Sequence, residues 1–130
     1  MKFMLLVYTD SSLLDGLPDN QMDGMLRTCF DHVDELNREG HMVESHMLDS
    51  ARTARTVRIR GDRVTSTDGP YAEAKEVLGG FNVIEARDME EAVRIAATFP
   101  WARTGCIEVR PVQDLAAVRR RVRASGSPAA

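Results

Sequence analysis

Phe81-Asn82-Val83-Ile84-Glu85-Ala86-Arg87-Asp88-Met89-Glu90-Glu91-Ala92-Val93-Arg94-Ile95-Ala96-Ala97-Thr98-Phe99-Pro100 changes its period in the middle. Phe81 to Ala86, entered from Gly79-Gly80, reads as a strand. Asp88 and Glu91 stand three apart, the spacing of a capping box, so a helix is predicted to start there. Met89, Ala92, Ile95, Ala96 and Phe99 share one apolar face, and Pro100 stops the helix. Gly105 to Val112 then returns as a strand. This is one β-α-β unit.

The same rhythm lies upstream. Residues 3–8 (Phe-Met-Leu-Leu-Val-Tyr) are apolar on both faces, which suits a central strand. Asp10 to Asn20, with Gly16 and Pro18, reads as a loop. From Gln21, Met22, Met25, Leu26, Cys29, Val33 and Leu36 make a helical stripe that ends at Gly40. Residues 42–48 read as the second strand. Thr56 to Arg60 and Arg63 to Thr67, joined by Gly61-Asp62, read as a hairpin insert. Ala72 to Val77 is expected to form one helical turn, and Asp114 to Ala124 an amphipathic tail helix. Ser125 to Ala130 is expected to fray.

Two β-α-β units around a hairpin predict an α+β, ferredoxin-like fold with an antiparallel sheet. Right-handed crossovers put both helices on one sheet face. The other face is left bare, and a small domain does not leave a broad apolar face in water. A homodimer with sheets meeting face to face, a dimeric α/β barrel, is the expected cover.

Composition sets the outer bounds. The chain has 130 residues, 43% hydrophobic and 28% charged, enough for one domain and one core. The net charge of -3 lacks the basic footprint of a nucleic-acid binder. Two cysteines and seven methionines fit a reduced cytoplasmic protein. The apolar start is broken by Asp10, too early for a signal peptide or a membrane span. Residues 113–130 carry four arginines against Asp114, so this tail is +3 and the preceding residues -6.

Three stretches stand out together: Thr56-Val57-Arg58; Asp68-Gly69-Pro70-Tyr71-Ala72-Glu73-Ala74-Lys75-Glu76 with Gly79-Gly80-Phe81; and Glu108-Val109-Arg110-Pro111-Val112. They resemble the YCII-related family, in particular its DGPF-type branch, over about residues 2–112. Residues 113–130 are left as an appended helix and tail. Tyr71 stands where that branch usually has Phe, and Ala74 where it usually has Thr. The resemblance implies a dimeric α/β barrel but no settled activity. Members are often encoded near ECF-type sigma factors, which implies a regulatory role as one alternative. The histidine of the His–Asp pair proposed for some relatives falls near Cys29, with His32 one turn on, and the pair is not carried over.

The candidate residues follow. Asp68 lies in a rigid Asp-Gly-Pro turn, which either holds Tyr71 or presents a carboxylate at a pocket mouth. Asp68 and Glu73 are the candidate acid/base groups. Arg58, Tyr71, Lys75, Glu108 and Arg110 are the candidate ligand contacts. Glu108 and Arg110 project from one strand face, and need either a ligand or each other or Arg58 as partner. Arg58 and Arg110 could instead clamp an anion. His41 and His46, an odd number apart on a strand, point to opposite faces and do not converge on a metal. With no phosphate loop and no metal cluster, no cofactor is expected. The expected function is cofactor-free binding or acid/base chemistry on a small polar organic molecule in the cleft. The alternative is a non-catalytic regulatory protein tied to sigma-factor-associated transcription.

Overall fold

The computed structural model describes residues 1–126. Strand β1 runs over Lys2–Asp10, and is followed by the short helix α1 (Ser11–Leu14) and the long helix α2 (Asp19–Arg38). Strand β2 (Met42–Met47) leads to the hairpin β3 (Arg55–Arg60) and β4 (Arg63–Asp68). Strand β5 (Glu76–Glu85), helix α3 (Met89–Ala97), strand β6 (Gly105–Pro111) and helix α4 (Leu115–Ser125) complete the chain. The main sheet has the order β2-β5-β1-β6, and the hairpin forms a separate two-stranded sheet. Every pairing is antiparallel. This is the expected α+β, ferredoxin-like arrangement, with β1 hydrogen-bonded on both edges.

Alternation along β1 divides the molecule. Phe3, Leu5 and Val7 are buried on the side covered by α2 and α3. Ile84 of β5 joins them, with Cys29 and Leu36 from α2 and Ala92, Ile95, Ala96 and Phe99 around α3. Fully burying Leu5 and Ile84 stabilises the fold by about 1.5–3 kcal/mol each. On the other side Met4, Leu6, Phe81 and Val83 are only half-buried, and no helix lies over them.

Several local expectations are corrected. Residues 10–20 are not a plain loop: Asp10 caps α1, and α2 begins at Asp19 behind Pro18. Ala72 to Val77 form no helical turn. Strand β5 starts at Glu76 because Glu76 to Gly80 pair with the end of β1. The two glycines, expected to lead into the strand, lie inside it. A bulge falls between Val7 and Tyr8, where Val7 faces Gly80 and Tyr8 faces Leu78. In the α3 cap, Asp88 accepts from the Glu91 amide at 2.9 Å. Glu91 reaches back to the Arg87 amide at 3.0 Å, one residue before the expected partner. The Gly61-Asp62 turn has positive φ at Gly61 alone, as a type II′ hairpin requires. Of the tail expected to fray, residues 127–130 lie outside the described part, while Ser125 ends α4.

Two glycines offer a paired test. A Cβ on Gly105 would run into the Tyr8 carbonyl oxygen and the Thr9 Cα, both backbone and unable to yield. Gly105→Ala is therefore expected to cost about 1–3 kcal/mol in urea denaturation, the usual range for overpacking. Gly24, inside α2, has open space around the same position. Gly24→Ala should stabilise by about 0.5–1 kcal/mol.

Candidate functional site

The helix-free face becomes polar where β1 ends. Across the β1–β6 ladder, Met4 faces Arg110, Leu6 faces Glu108 and Tyr8 faces Cys106. Period two puts these six side chains on the same face. Tyr8 follows the bulge, and its Oη donates to Glu108 Oε1 at 3.5 Å, the long end of hydrogen bonding. Partial burial, and then the charge of Glu108, raise the Tyr8 hydroxyl above its ordinary 10.0. The neighbouring Glu76 carboxylate, then burial and the charges of Glu76 and Glu108, push the Cys106 thiol above its ordinary 9.0. Both groups are thus neutral donors at pH 7. Cys106 is not poised as a thiolate nucleophile.

Asp10 anchors the edge of this region. Its side chain is 8% exposed, and its Oδ1 accepts from the Ser12 amide at 2.9 Å and the Ser12 hydroxyl at 2.6 Å. Lys75 Nζ lies 3.6 Å from Oδ2. The Ser12 hydroxyl bond lowers the Asp10 carboxyl most; burial opposes it, and the Ser12 amide and Lys75 add to the lowering.

The Asp68–Lys75 stretch is tied down at both ends. The Gly69 amide donates to the Ala54 carbonyl at 2.7 Å, and Thr56 Oγ1 donates to the Gly69 carbonyl at 2.8 Å. Arg58 Nη2 donates to the Tyr71 carbonyl at 3.1 Å. Lys75 closes the far end on Asp10. Thr56 and Arg58 therefore hold the backbone of the Asp-Gly-Pro-Tyr turn.

The predicted site residues divide accordingly. Glu108 and Arg110 lie on the helix-free face, and Glu108 turns to Tyr8 instead of to Arg110 or Arg58. Arg58 spends one donor on a backbone carbonyl. Lys75 pairs with Asp10. Asp68 has a 92% exposed side chain beside Arg55 Nε at 3.6 Å. Tyr71 is 80% exposed, and Glu73 is exposed in the loop. Two grooves of about 320 Å³ and 400 Å³ lie on the helix side, and neither is lined by Asp68 or Glu73.

Glu76, the last residue of the quoted Asp68–Glu76 run, joins the region, and so do Tyr8, Asp10 and Cys106, which were not among the candidate site residues. For Tyr8 and Cys106 the signal was alternation: Tyr8 shares a parity with Met4 and Leu6, and Cys106 with Glu108. The helix histidine goes elsewhere. His32 Nε2 meets Thr98 Oγ1 and its ring meets Phe99 edge-on, while Cys29 Sγ accepts from Trp101 Nε1 at 3.3 Å. His41 bonds the Glu85 carbonyl, and His46 packs on Phe81. Among the described residues no group of three or more His, Cys, Asp or Glu is placed to hold a metal ion. No helix among them is long and apolar enough to cross a membrane.

Because the folded-state pKa of Asp10 is depressed, its contribution to stability is complete above the ordinary value of 3.8 and is lost as pH falls through the folded value. Urea denaturation between about pH 5 and pH 2 should show a shallower loss of stability for Asp10→Asn than for the native chain. Equal pH slopes would show that the Ser12 and Lys75 contacts do not hold the carboxylate.

A protein of Rhizobium meliloti (strain 1021), itself uncharacterised, is 28% identical over 114 residues, covering 86% of this chain and 92% of its own length. The model of the YCII-related domain matches residues 1–116, nine-tenths of the chain and all six strands. The chain belongs to the YCII-related family.

Proposed function

We propose that the helix-free face binds a small polar organic molecule beside Tyr8 and Glu108, and that Glu108 exchanges a proton with it. The observation that carries this reading is the Tyr8–Glu108 contact, with Cys106 and Glu76 alongside. A hydroxyl held neutral next to a carboxylate supplies one donor and one proton acceptor about a hydrogen bond apart. Arg110, on the same strand face, offers a cation for a polar or anionic group on the ligand. Asp68, Glu73 and Tyr71, on the tethered DGPF-type loop, border the same molecule as it binds. The run from Asp68 to Glu76 places the chain, in our reading, in the DGPF-type branch.

The cleft itself is the space between two copies. Met4, Leu6, Phe81 and Val83 form the half-buried apolar floor that a second sheet would cover, converting an open face into a lined hollow. Sedimentation should therefore show self-association through this face, and Leu6→Asp should halve the mass of the assembly with its circular dichroism unchanged.

The ligand is tested by a thermal-shift and calorimetric screen with small organic acids, amines and neutral polyols. Binding of at least one class is expected, weakened about tenfold, or about 1.4 kcal/mol, by Glu108→Gln or Tyr8→Phe. Full retention of binding in both variants would remove these residues from the site. A dimer that takes none of the compounds would favour the non-catalytic regulatory role.

A further inference from the structure

The helix side of the sheet carries a second unfilled surface, away from the face just described. A groove of about 400 Å³ lies between α3 and β6, lined by Met89, Val93, Ala97, Ala102, Ile107 and Val109. It borders the outer edge of β6, the last strand of the sheet, where backbone groups have no strand partner. Its lining is apolar. Glu90 stands one and two turns before Val93 and Ala97, on the same side of α3.

Helix α4 is the complementary shape. Leu115, Val118 and Val122 recur at spacings of three and four and make one apolar stripe. Yet Leu115 is 65% and Val122 51% exposed and Val118 is only half-buried, so the chain's own body leaves most of that stripe open. At about 100° per residue, Arg119 and Arg121 flank the stripe on either side. The charges match across the two surfaces. The tail is +3 against a body of -6, and Glu90 stands on the side of α3 that carries the groove's Val93 and Ala97.

The connection decides whose groove α4 fills. The Val112 amide still bonds the Lys2 carbonyl at 2.9 Å, so the ladder runs straight past the end of β6. Asp114 already caps α4 through the Ala116 and Ala117 amides. Gln113 alone separates these two fixed points, and no α4 residue lines the chain's own groove. We infer that α4 docks its Leu115–Val118–Val122 stripe into the α3–β6 groove of a second copy, with Arg119 or Arg121 meeting Glu90. Exchange in both directions satisfies both copies at once, as a two-fold assembly requires. The groove lies on the opposite side of the sheet from the helix-free face. The inference therefore does not rest on the proposed cleft.

Full-length chains with Cys106→Ser are used, so that the single exposed thiol is the introduced one. One chain carries Val93→Cys, another Leu115→Cys, and the two are mixed and treated with a short bismaleimide. A covalent species containing one chain of each kind is expected, several-fold weaker when the Val93→Cys chain also carries Glu90→Arg and recovered when the other carries Arg119→Glu and Arg121→Glu. The Val93→Cys/Leu115→Cys double variant should link between chains. Linkage only within single chains would place α4 on its own body and overturn the inference. Absence of any link, with both variants folded by circular dichroism, would overturn it as well. The Leu6→Asp variant separates the two assemblies: it should abolish sheet-face pairing and leave the α4 cross-link in place.

Discussion

Strand β1 is the constraint on which the remainder of the molecule depends. It is paired on both edges, to β5 and to β6, so its backbone is satisfied within the sheet and its side chains have two destinations only. Phe3, Leu5 and Val7 go to the helices and build the core. Met4, Leu6 and Tyr8 go to the open face. A slip of one residue would exchange the two sets, which couples core stability to the placement of Tyr8. The bulge opposite Gly79-Gly80 is the one departure from this regularity, and it falls where the apolar face gives way to polar groups.

The polar region is acidic and proton-rich. Glu76 and Glu108 each have a neutral donor beside them, Cys106 and Tyr8, and their negative charge helps to keep those donors protonated. Such an arrangement suits hydrogen bonding and proton exchange better than attack by a thiolate. The loop above it is ordered by backbone tethers instead of by burial. Thr56 and Arg58 hold it to the hairpin, and Lys75 holds it to the buried end of β1. Its acidic side chains remain in water, where carboxylates cost little to keep ionised.

The sheet thus has two incomplete surfaces of different character. The helix-free face is an apolar floor with a polar end, suited to enclosing something small. The α3–β6 groove is lined by apolar side chains, has Glu90 on the same side of α3, and is matched by the chain's own arginine-flanked helix. Each surface is open for the same reason. Helices α2 and α3 cover one face of the sheet only, and β6 at its edge stays partly open beside α3.

Element type and order were legible in the sequence, because period two and period 3.6 are local properties of side-chain direction. All six strands, the two crossover helices and the tail helix follow from that, as do the two β-α-β units and the side of the sheet they cover. The resemblance carried by Asp68 to Glu76 likewise needed only order and spacing. Pairing was not legible. Gly79-Gly80 reads as the lead-in to a strand and is part of β5, since the ladder with β1 outweighs glycine's low strand preference. Asp10 looked like the end of a strand and is a buried cap held by Ser12 and Lys75. Glu108 looked ready for an arginine and found Tyr8, 100 residues away. Those outcomes depend on register and on which distant residues the fold brings within a few ångströms, and no local pattern contains that information.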